Sequence, residues 1–216
     1  MNNWLNYALC ASFIWAVAGL SYLLFKTLSY PKQRFYSLAK GEPKKGILYA
    51  LGPGLLPWTK EASFSYLSVY LLGASYHLSI FTGFLLLILT LTGIKPGAFG
   101  RNLIAGLLGI GALSGLGLLI RRMVKTEVRW LSSIDDFTAN LLVDAFIVSG
   151  LLSLFYPSFN TSFLVISILL FVYIPLGKIR HCWFFFITRV FFGRFFGHRG
   201  VFPRSYYEIL EKQKLM

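Results

Sequence analysis

The sequence predicts an all-α integral membrane protein, a bundle of five transmembrane helices. Hydrophobic residues make up 56% of the 216 residues and charged residues only 13%, whereas a soluble domain carries about 25% charged residues. Several uncharged apolar stretches reach the ~20 residues that a helix needs to cross a bilayer. The alternating segments of ~10 residues that are typical of a transmembrane barrel do not occur, so the helical class is favoured.

The five predicted helices, I to V, follow one another within a single membrane domain that covers residues 1–216. Breaker-rich segments such as "LGPGLLPW", "GIKPG" and "PSFN" separate them. After helix V, residues 180–216 mix aromatic and arginine side chains, which predicts an interfacial and then cytoplasmic C-terminal segment. The predicted bounds are about 4–25, 62–92, 102–120, 137–156 and 161–179.

Local patterns add detail to helices III and IV. Helix III is rich in glycine, "AGLLGIGALSGLGLL", and small residues at that density let a neighbouring helix or a flat cofactor approach the backbone closely. Both explanations remain open from the sequence. Helix IV is preceded by Ser132 and Ser133, either of which can cap it, and Asp135 and Asp136 in its first turn suit the positive end of the helix dipole.

The distribution of lysine and arginine predicts the orientation in the membrane. The net charge of +13 is not gathered on one face or tail, so nucleic acid is not a predicted partner. Only Lys95 and Arg101 lie on the side that joins helices II and III, while basic residues crowd the opposite loops and the C-terminal segment. Cytoplasmic loops carry the excess of basic residues, which puts the N-terminus outside and the C-terminus in the cytoplasm. The predicted location is the cytoplasmic (inner) membrane, in a multi-pass arrangement. The basic residues of the two inner loops are Lys26, Lys32, Arg34, Lys40, Lys44, Lys45, Lys60, Arg121, Arg122, Lys125 and Arg129.

Most sequence signatures of catalysis are missing. Cys10 and Cys182 are far apart and form no C-x-x-C or C-x-x-C-H motif, so an iron–sulfur cluster, covalent haem or a disulfide framework is not predicted. No Walker loop, G-x-S-x-G or H-E-x-x-H occurs, and we predict no catalytic residue. The first apolar stretch lacks a basic start and an A-x-A-like cleavage site, which predicts a retained helix.

Two of the three histidines, His77 and His181, lie at matching predicted depths. His77 precedes the end of helix II near Gly93 by 16 residues, about 24 Å at a rise of ~1.5 Å per residue. His181 follows the start of helix V near Ser162 by 19 residues, about 28 Å. Two level imidazoles on different helices can ligate one haem iron, or each can simply hydrogen-bond a neighbouring helix. His198 is predicted to be a surface residue.

Asp144 is the one carboxylate predicted to lie within the membrane, in "LLVDAFIVSG" of helix IV. Intramembrane ionisable residues commonly serve function, which makes a proton relay one interpretation. The other is an ion pair with a lysine or arginine near the bilayer edge. The sequence leaves these two open.

Three segments resemble the membrane haem b subunit (gamma subunit) of respiratory nitrate reductase, and the related subunits of heterodisulfide reductase and of the sulfite-reductase-linked membrane complex. They are "SYHLSIFTGFLLLIL", "GLGLLIRRMVKTEVRWLSSIDDFTANLLV" and "VYIPLGKIRHCWFFFITRVFFGR". The second is the most specific, because that family also has a basic loop, a short polar-acidic cap and a leucine-rich helix in this order. The resemblance covers most of the chain from helix II onward.

The resemblance implies one haem b and not the family's usual two. Members of the family typically ligate two stacked haems with four histidines on helices II and V. His77 and His181 match the pair for the haem nearer the cytoplasm. The positions of the other pair fall near Leu87 and Phe163, where no histidine occurs, so the outer haem is predicted to be absent. The outer half of the interface between helices II and V is then expected to be filled by Phe81, Phe84, Leu87, Phe163 and Ile166.

A quinone site, if the chain has one, is therefore expected in the cytoplasmic leaflet beside the single haem. Tyr76, Arg129 and Lys178 are candidate contacts for the quinone or for a haem propionate. The leading functional hypothesis is a haem b subunit that exchanges electrons between the quinone pool and a partner. The basic cytoplasmic face is a plausible docking surface for iron–sulfur and catalytic subunits. One alternative is a non-catalytic membrane anchor that has lost quinone chemistry, and a transporter is disfavoured because no inverted repeat is evident.

Overall fold

The structure, a computed structural model, describes residues 3–31, 36, 38–56 and 67–201. Over these residues it contains helices and turns and no strand, which confirms the predicted all-α class. Short 3-10 helices cover Pro53–Leu55, Pro157–Phe159 and Lys178–Arg180. The α-helices are α1 (Asn3–Leu28), α2 (Pro43–Leu51), α3 (Leu67–Thr92), α4 (Ala98–Val124), α5 (Thr126–Trp130), α6 (Ile134–Ser153), α7 (Asn160–Tyr173) and α8 (His181–His198).

Four of the described helices, α1, α3, α4 and α6, are long and apolar enough to cross a membrane. The segments Pro157–Tyr173 and Lys178–His198 add a fifth span if this bent pair is counted as one. The chain is therefore a multi-pass membrane protein by the length and composition of its helices, and the predicted number of five equals the higher count.

Helix V differs from its prediction. The predicted helix 161–179 ends in the structure at Tyr173, and the next α-helix begins only at His181. Pro175 explains the break, because proline has no backbone N–H and its ring clashes with the carbonyl four residues earlier. Gly177 adds a poor helix former two residues later. The depth predicted for His181 assumed one continuous helix, and that assumption is wrong.

The other bounds differ by a few residues. Helix III begins at Ala98 and not near residue 102, and helix IV begins at Ile134 and not near residue 137. Residues 62–66, which the prediction places at the start of helix II, lie outside the described part of the chain, as does the predicted cytoplasmic tail from residue 202.

The chain divides into two compact units. The bundle unit comprises residues 1–23 and 67–180, and the α2–α8 unit comprises residues 24–66 and 181–216 as far as they are described. His77 belongs to the bundle unit, and His181 is the first residue of the second unit.

Aromatic packing forms the centre of the bundle unit. Phe146 of α6 is fully buried, and its ring lies 5.1 Å from the ring of Phe84 and 5.4 Å from that of Phe163. Gly83 makes room for it, since a Cβ there would come within 2.6 Å of the Phe146 ring. Lipid is as apolar as these side chains, so close packing and not burial from water holds such helices together.

Small residues let α3 and α4 approach each other closely. A Cβ on Gly111 would overlap the side chain of Ser79, and a Cβ on Gly115 would overlap Asp144 and lie 2.6 Å from the Tyr76 ring. Tight helix packing therefore explains these two glycines of the "AGLLGIGALSGLGLL" run. Gly106 and Gly109 differ, because no atom lies within 4 Å of a Cβ built on either.

The start of α6 is capped as the sequence predicts. Ser133 and Asp136 form a capping box in which the backbone N–H of Ser133 donates to Asp136 Oδ2 at 2.8 Å. Asp136 also forms ion pairs with Arg122, at an N–O distance of 3.0 Å, and with Lys178. One carboxylate thus ties the end of α4 and the segment after α7 to the start of α6.

The α2–α8 unit is built on backbone contact between two antiparallel helices. A Cβ on Gly46 would lie 2.6 Å from Gly197 Cα and would overlap the carbonyl oxygen of Gly193. The backbone N–H of Lys40 donates to the carbonyl of His198 at 2.9 Å, which joins the start of one segment to the end of the other. Gly193 and Gly197 form a G-x-x-x-G pair, the spacing that places small residues on one helix face.

Candidate functional site

His77 lies on the exposed face of α3, in the chemical form that a metal ligand needs. Its Nδ1 is 2.7 Å from the carbonyl oxygen of Gly73, one helical turn earlier. A carbonyl oxygen can only accept a hydrogen bond, so Nδ1 carries a proton, and in the neutral imidazole the lone pair is then on Nε2. A backbone carbonyl that fixes the tautomer in this way is the usual support for a metal-ligating histidine.

The surface next to His77 has room for a flat group. A Cβ built on Gly73 would meet no atom within 4 Å, and Ala74 and Phe81 are exposed on the same part of the helix. Helical neighbours at i+4 lie on one face, so His77 and Phe81 share this surface. A single exposed imidazole next to a glycine is compatible with an axial haem ligand, and the haem itself stays a prediction.

Four of the five side chains predicted to fill the interface of helices II and V pack in the bundle. Leu87 and Phe163, at the positions where the resemblance predicts the second histidine pair of the family, are 3% and 0% exposed. Phe84 and Ile166 pack against the same core. Phe81 is the exception: it is 66% exposed, so the prediction that it fills this interface is wrong. It occupies the exposed face of α3 together with His77.

His181 begins α8 and is exposed. It belongs to the α2–α8 unit, so its predicted pairing with His77 joins residues of two units and stays a prediction. Within the described residues no group of three or more histidine, cysteine or acidic side chains could hold a metal ion. A haem differs from such a site because the macrocycle supplies four iron ligands and the protein only the axial ones.

The three candidate contacts for a propionate or quinone lie in different surroundings. Tyr76 is buried in the bundle, where its hydroxyl donates to the carbonyl of Asn140 at 3.3 Å. Lys178 pairs with Asp136 near the start of α6. Arg129 is exposed on the short helix α5. The proposed role of each in holding a propionate or quinone stays a prediction.

A buried polar cluster joins α3, α4 and α6 next to Tyr76. The amide of Asn140 donates to Asp144 Oδ2 at 2.8 Å and lies 3.4 Å from the carbonyl oxygen of Gly115. Asp144 Oδ1 is buried and has no hydrogen-bond partner among the residues that the structure describes. The amide of Asn140 thus contacts all three helices, and its loss would remove a hydrogen-bond donor from a buried carboxyl group.

The cluster bears on the two interpretations of Asp144. No ion pair joins Asp144 to a lysine or arginine within the described ranges, so its observed partner is an amide. Asn140 was missed by the sequence analysis, although its position four residues before Asp144 in an apolar helix is a usable signal. Side chains four apart on a helix contact each other, and two polar groups with that spacing indicate a buried pair.

The motifs that carry the family resemblance lie at definite places in this structure. "SYHLSIFTG" is part of α3, "SSIDDF" caps and begins α6, and "RHCWFFF" spans the start of α8. The chain matches no family model, no curated protein and no solved structure. The resemblance to the nitrate reductase gamma family stays a prediction from these motifs.

Proposed function

We propose that this protein is a membrane electron-transfer subunit that holds one haem b through His77 and His181. The observation that carries the proposal is the hydrogen bond from His77 Nδ1 to the Gly73 carbonyl on the exposed face of α3, because it orients the imidazole as second hydrogen bonds orient metal-ligating histidines. Bound haem would supply one-electron transfer, and the chain would supply its axial ligands and an apolar surrounding.

A single haem agrees with the side chains packed at the interface of helices II and V. Leu87 and Phe163 are buried, and neither side chain can ligate iron. A haem passes one electron at a time while a quinol releases two, so a second acceptor is required in a partner. We therefore propose iron–sulfur and catalytic partner subunits, docked on the basic side of the membrane, with the quinone reacting in the same leaflet as the haem.

A visible spectrum tests the proposal directly. The full-length protein, produced with sufficient haem supply and purified in mild detergent, is expected to show the sharp bands of six-coordinate haem b in a reduced-minus-oxidised spectrum. The expected amount is one haem per chain. A purified, folded protein without haem would contradict the proposal and favour the alternative, a non-catalytic anchor subunit that has lost quinone chemistry.

The proposed orientation has the N-terminus outside and the C-terminus in the cytoplasm, in the inner membrane. Its support is the excess of lysine and arginine on the side of the C-terminal segment. We expect a single cysteine introduced at Lys212, in a chain with Cys10→Ser and Cys182→Ser, to resist an impermeant thiol reagent in intact cells. A cysteine at Lys95, on the opposite side, is the matched control and should be labelled. Labelling of the Lys212 position without permeabilisation would reverse the topology.

A further inference from the structure

A cavity of about 410 Å³ opens at the end of the bundle unit where α3 and α6 finish and α4 and α7 begin. Lys95 and Arg101 line it on the polar side, and Leu86, Leu89, Ile94 and Leu154 are among its apolar walls. Its size falls in the range of ~300–1,000 Å³ that is usual for small-molecule sites. An apolar pocket with two cationic side chains suits a ligand that has both an anionic and a hydrocarbon part.

Lys95 and Arg101 form no ion pair with any residue that the structure describes. Among the described residues, no acidic side chain lines the cavity. Arg101 lies 5.8 Å from the ring of Phe155, which fixes the guanidinium without reducing its charge. Guanidinium and ammonium groups together form the usual donor set for a phosphate, the first by bidentate hydrogen bonds and the second as a point charge.

Backbone dipoles do not change the sign of this charge. The cavity touches the C-terminal ends of α3 and α6, at Gly93 and Leu154, and the N-terminus of α7, at Asn160, while α4 begins nearby at Ala98. Each helix end carries a partial charge of about half an elementary charge, negative at C-termini and positive at N-termini. The partial charges of two C-termini and two N-termini nearly cancel. The side chains of Lys95 and Arg101 therefore decide the local electrostatic potential.

The cavity also lies at the depth of the lipid headgroups. α3 and α4 are candidate spans, and the residues 93–97 that join them must therefore emerge at the membrane surface. We propose that this cavity binds the phosphate of an anionic phospholipid, with Lys95 and Arg101 on the phosphate and the leucine side chains against the first part of an acyl chain. A neutral quinone would gain little from two unpaired cations, so the anionic amphiphile is favoured. Lipid binding here does not depend on haem.

Native mass spectrometry of the full-length protein tests the proposal. After delipidation in detergent, the protein is titrated with phosphatidylglycerol and, separately, with phosphatidylcholine of the same acyl chains. We expect one phosphatidylglycerol to bind at least tenfold more tightly than phosphatidylcholine. Replacing Lys95 and Arg101 together by glutamine should abolish this preference.

Two further variants distinguish lipid binding in the cavity from lipid attraction to positive charge elsewhere on the surface. Lys26→Gln with Lys125→Gln removes the same charge from exposed positions elsewhere and should keep the preference for phosphatidylglycerol. Ser153→Phe adds bulk to the cavity wall without changing any charge and should weaken binding at least tenfold. A fold check by size-exclusion chromatography accompanies each variant, and Ser153→Leu, a smaller uncharged side chain at the same position, is the fallback if Ser153→Phe does not fold.

Competition distinguishes the source of the phosphate. Inorganic phosphate at millimolar concentration should leave the bound lipid in place, because the apolar walls hold its acyl chain. Displacement by inorganic phosphate at that concentration would overturn the lipid assignment. An unchanged preference for phosphatidylglycerol in the variant that lacks both Lys95 and Arg101 would also overturn it, as would an equal loss of preference in the variant Lys26→Gln with Lys125→Gln. Binding of a neutral quinone analogue in place of phosphatidylglycerol would overturn it too.

Discussion

Replacing His77 by alanine is expected to remove the haem absorbance of the purified protein completely. The proposed axial ligand is lost, and the neighbouring Tyr76 and Leu78 cannot replace it, since one is buried in the bundle and the other is apolar. His77 is exposed on α3 and alanine is the best helix former, so the variant should fold with nearly unchanged stability. The measurement is the reduced-minus-oxidised spectrum, normalised to the amount of folded protein.

His181→Ala should give the same loss, and His198→Ala is the matched control. His198 is also a histidine of α8, and its backbone carbonyl accepts hydrogen bonds from Lys40 and Gly41, which alanine retains. External imidazole should partly restore the spectrum of His77→Ala, because a free imidazole can occupy the open space beside Gly73. Such rescue distinguishes a lost ligand from a lost fold. Full haem retention in His77→Ala, or haem loss in His198→Ala, would contradict the assignment.

The fold class can be predicted from the sequence because the lipid bilayer restricts which backbone structures can span it. A spanning helix must satisfy every backbone group internally, so apolar length alone indicates the class. The cap of α6 was predicted for a similar reason, since a serine followed by Asp136 three residues later satisfies the first N–H groups locally. Local hydrogen bonds of this kind can be predicted because they join residues only a few positions apart in the sequence.

The break after Tyr173 was not predicted, although Pro175 and Gly177 were visible in the sequence. Proline is tolerated in many membrane helices when neighbours satisfy the freed carbonyl groups, so the sequence alone does not decide between a kink and an end. The depth comparison of the two histidines depended on that decision. The depth estimated for His77 was measured along one continuous helix. The depth estimated for His181 was not, because the helix ends before it.

The direction of side chains around a helix is the second feature that the sequence does not predict. Phe81 and Phe84 are three residues apart and both were assigned to the interface, yet Phe81 is exposed while Phe84 packs on Phe146. In a membrane helix both faces are apolar, so hydrophobicity does not tell the lipid face from the packed face. Small residues are the better signal, and Ser79, Gly83, Gly111 and Gly115 all lie at close contacts between helices.

Gly111→Ala is expected to lower the free energy of unfolding by about 2 kcal/mol, the usual cost of overpacking a tight contact. The new Cβ would overlap Oγ and Cβ of the fully buried Ser79, so α3 and α4 must move apart. Gly106→Ala on the same helix is the matched control, because no atom lies within 4 Å of its Cβ. Both substitutions gain the same intrinsic helix preference, so the difference between them isolates the contact.

A second substitution in Ser79 shows whether this contact is the cause. Ser79→Gly removes the atoms that the new methyl group would overlap, so the double variant with Gly111→Ala should be more stable than the sum of the single effects predicts. We expect a coupling of about 1–2 kcal/mol, as for other residues in direct contact. Unfolding is followed by titration with SDS and limited proteolysis of the full chain. If Gly111→Ala and Gly106→Ala were equally stable, α3 and α4 would not be packed through Gly111 and Ser79. The space between these helices would then be open to the flat cofactor that the glycine run also allows.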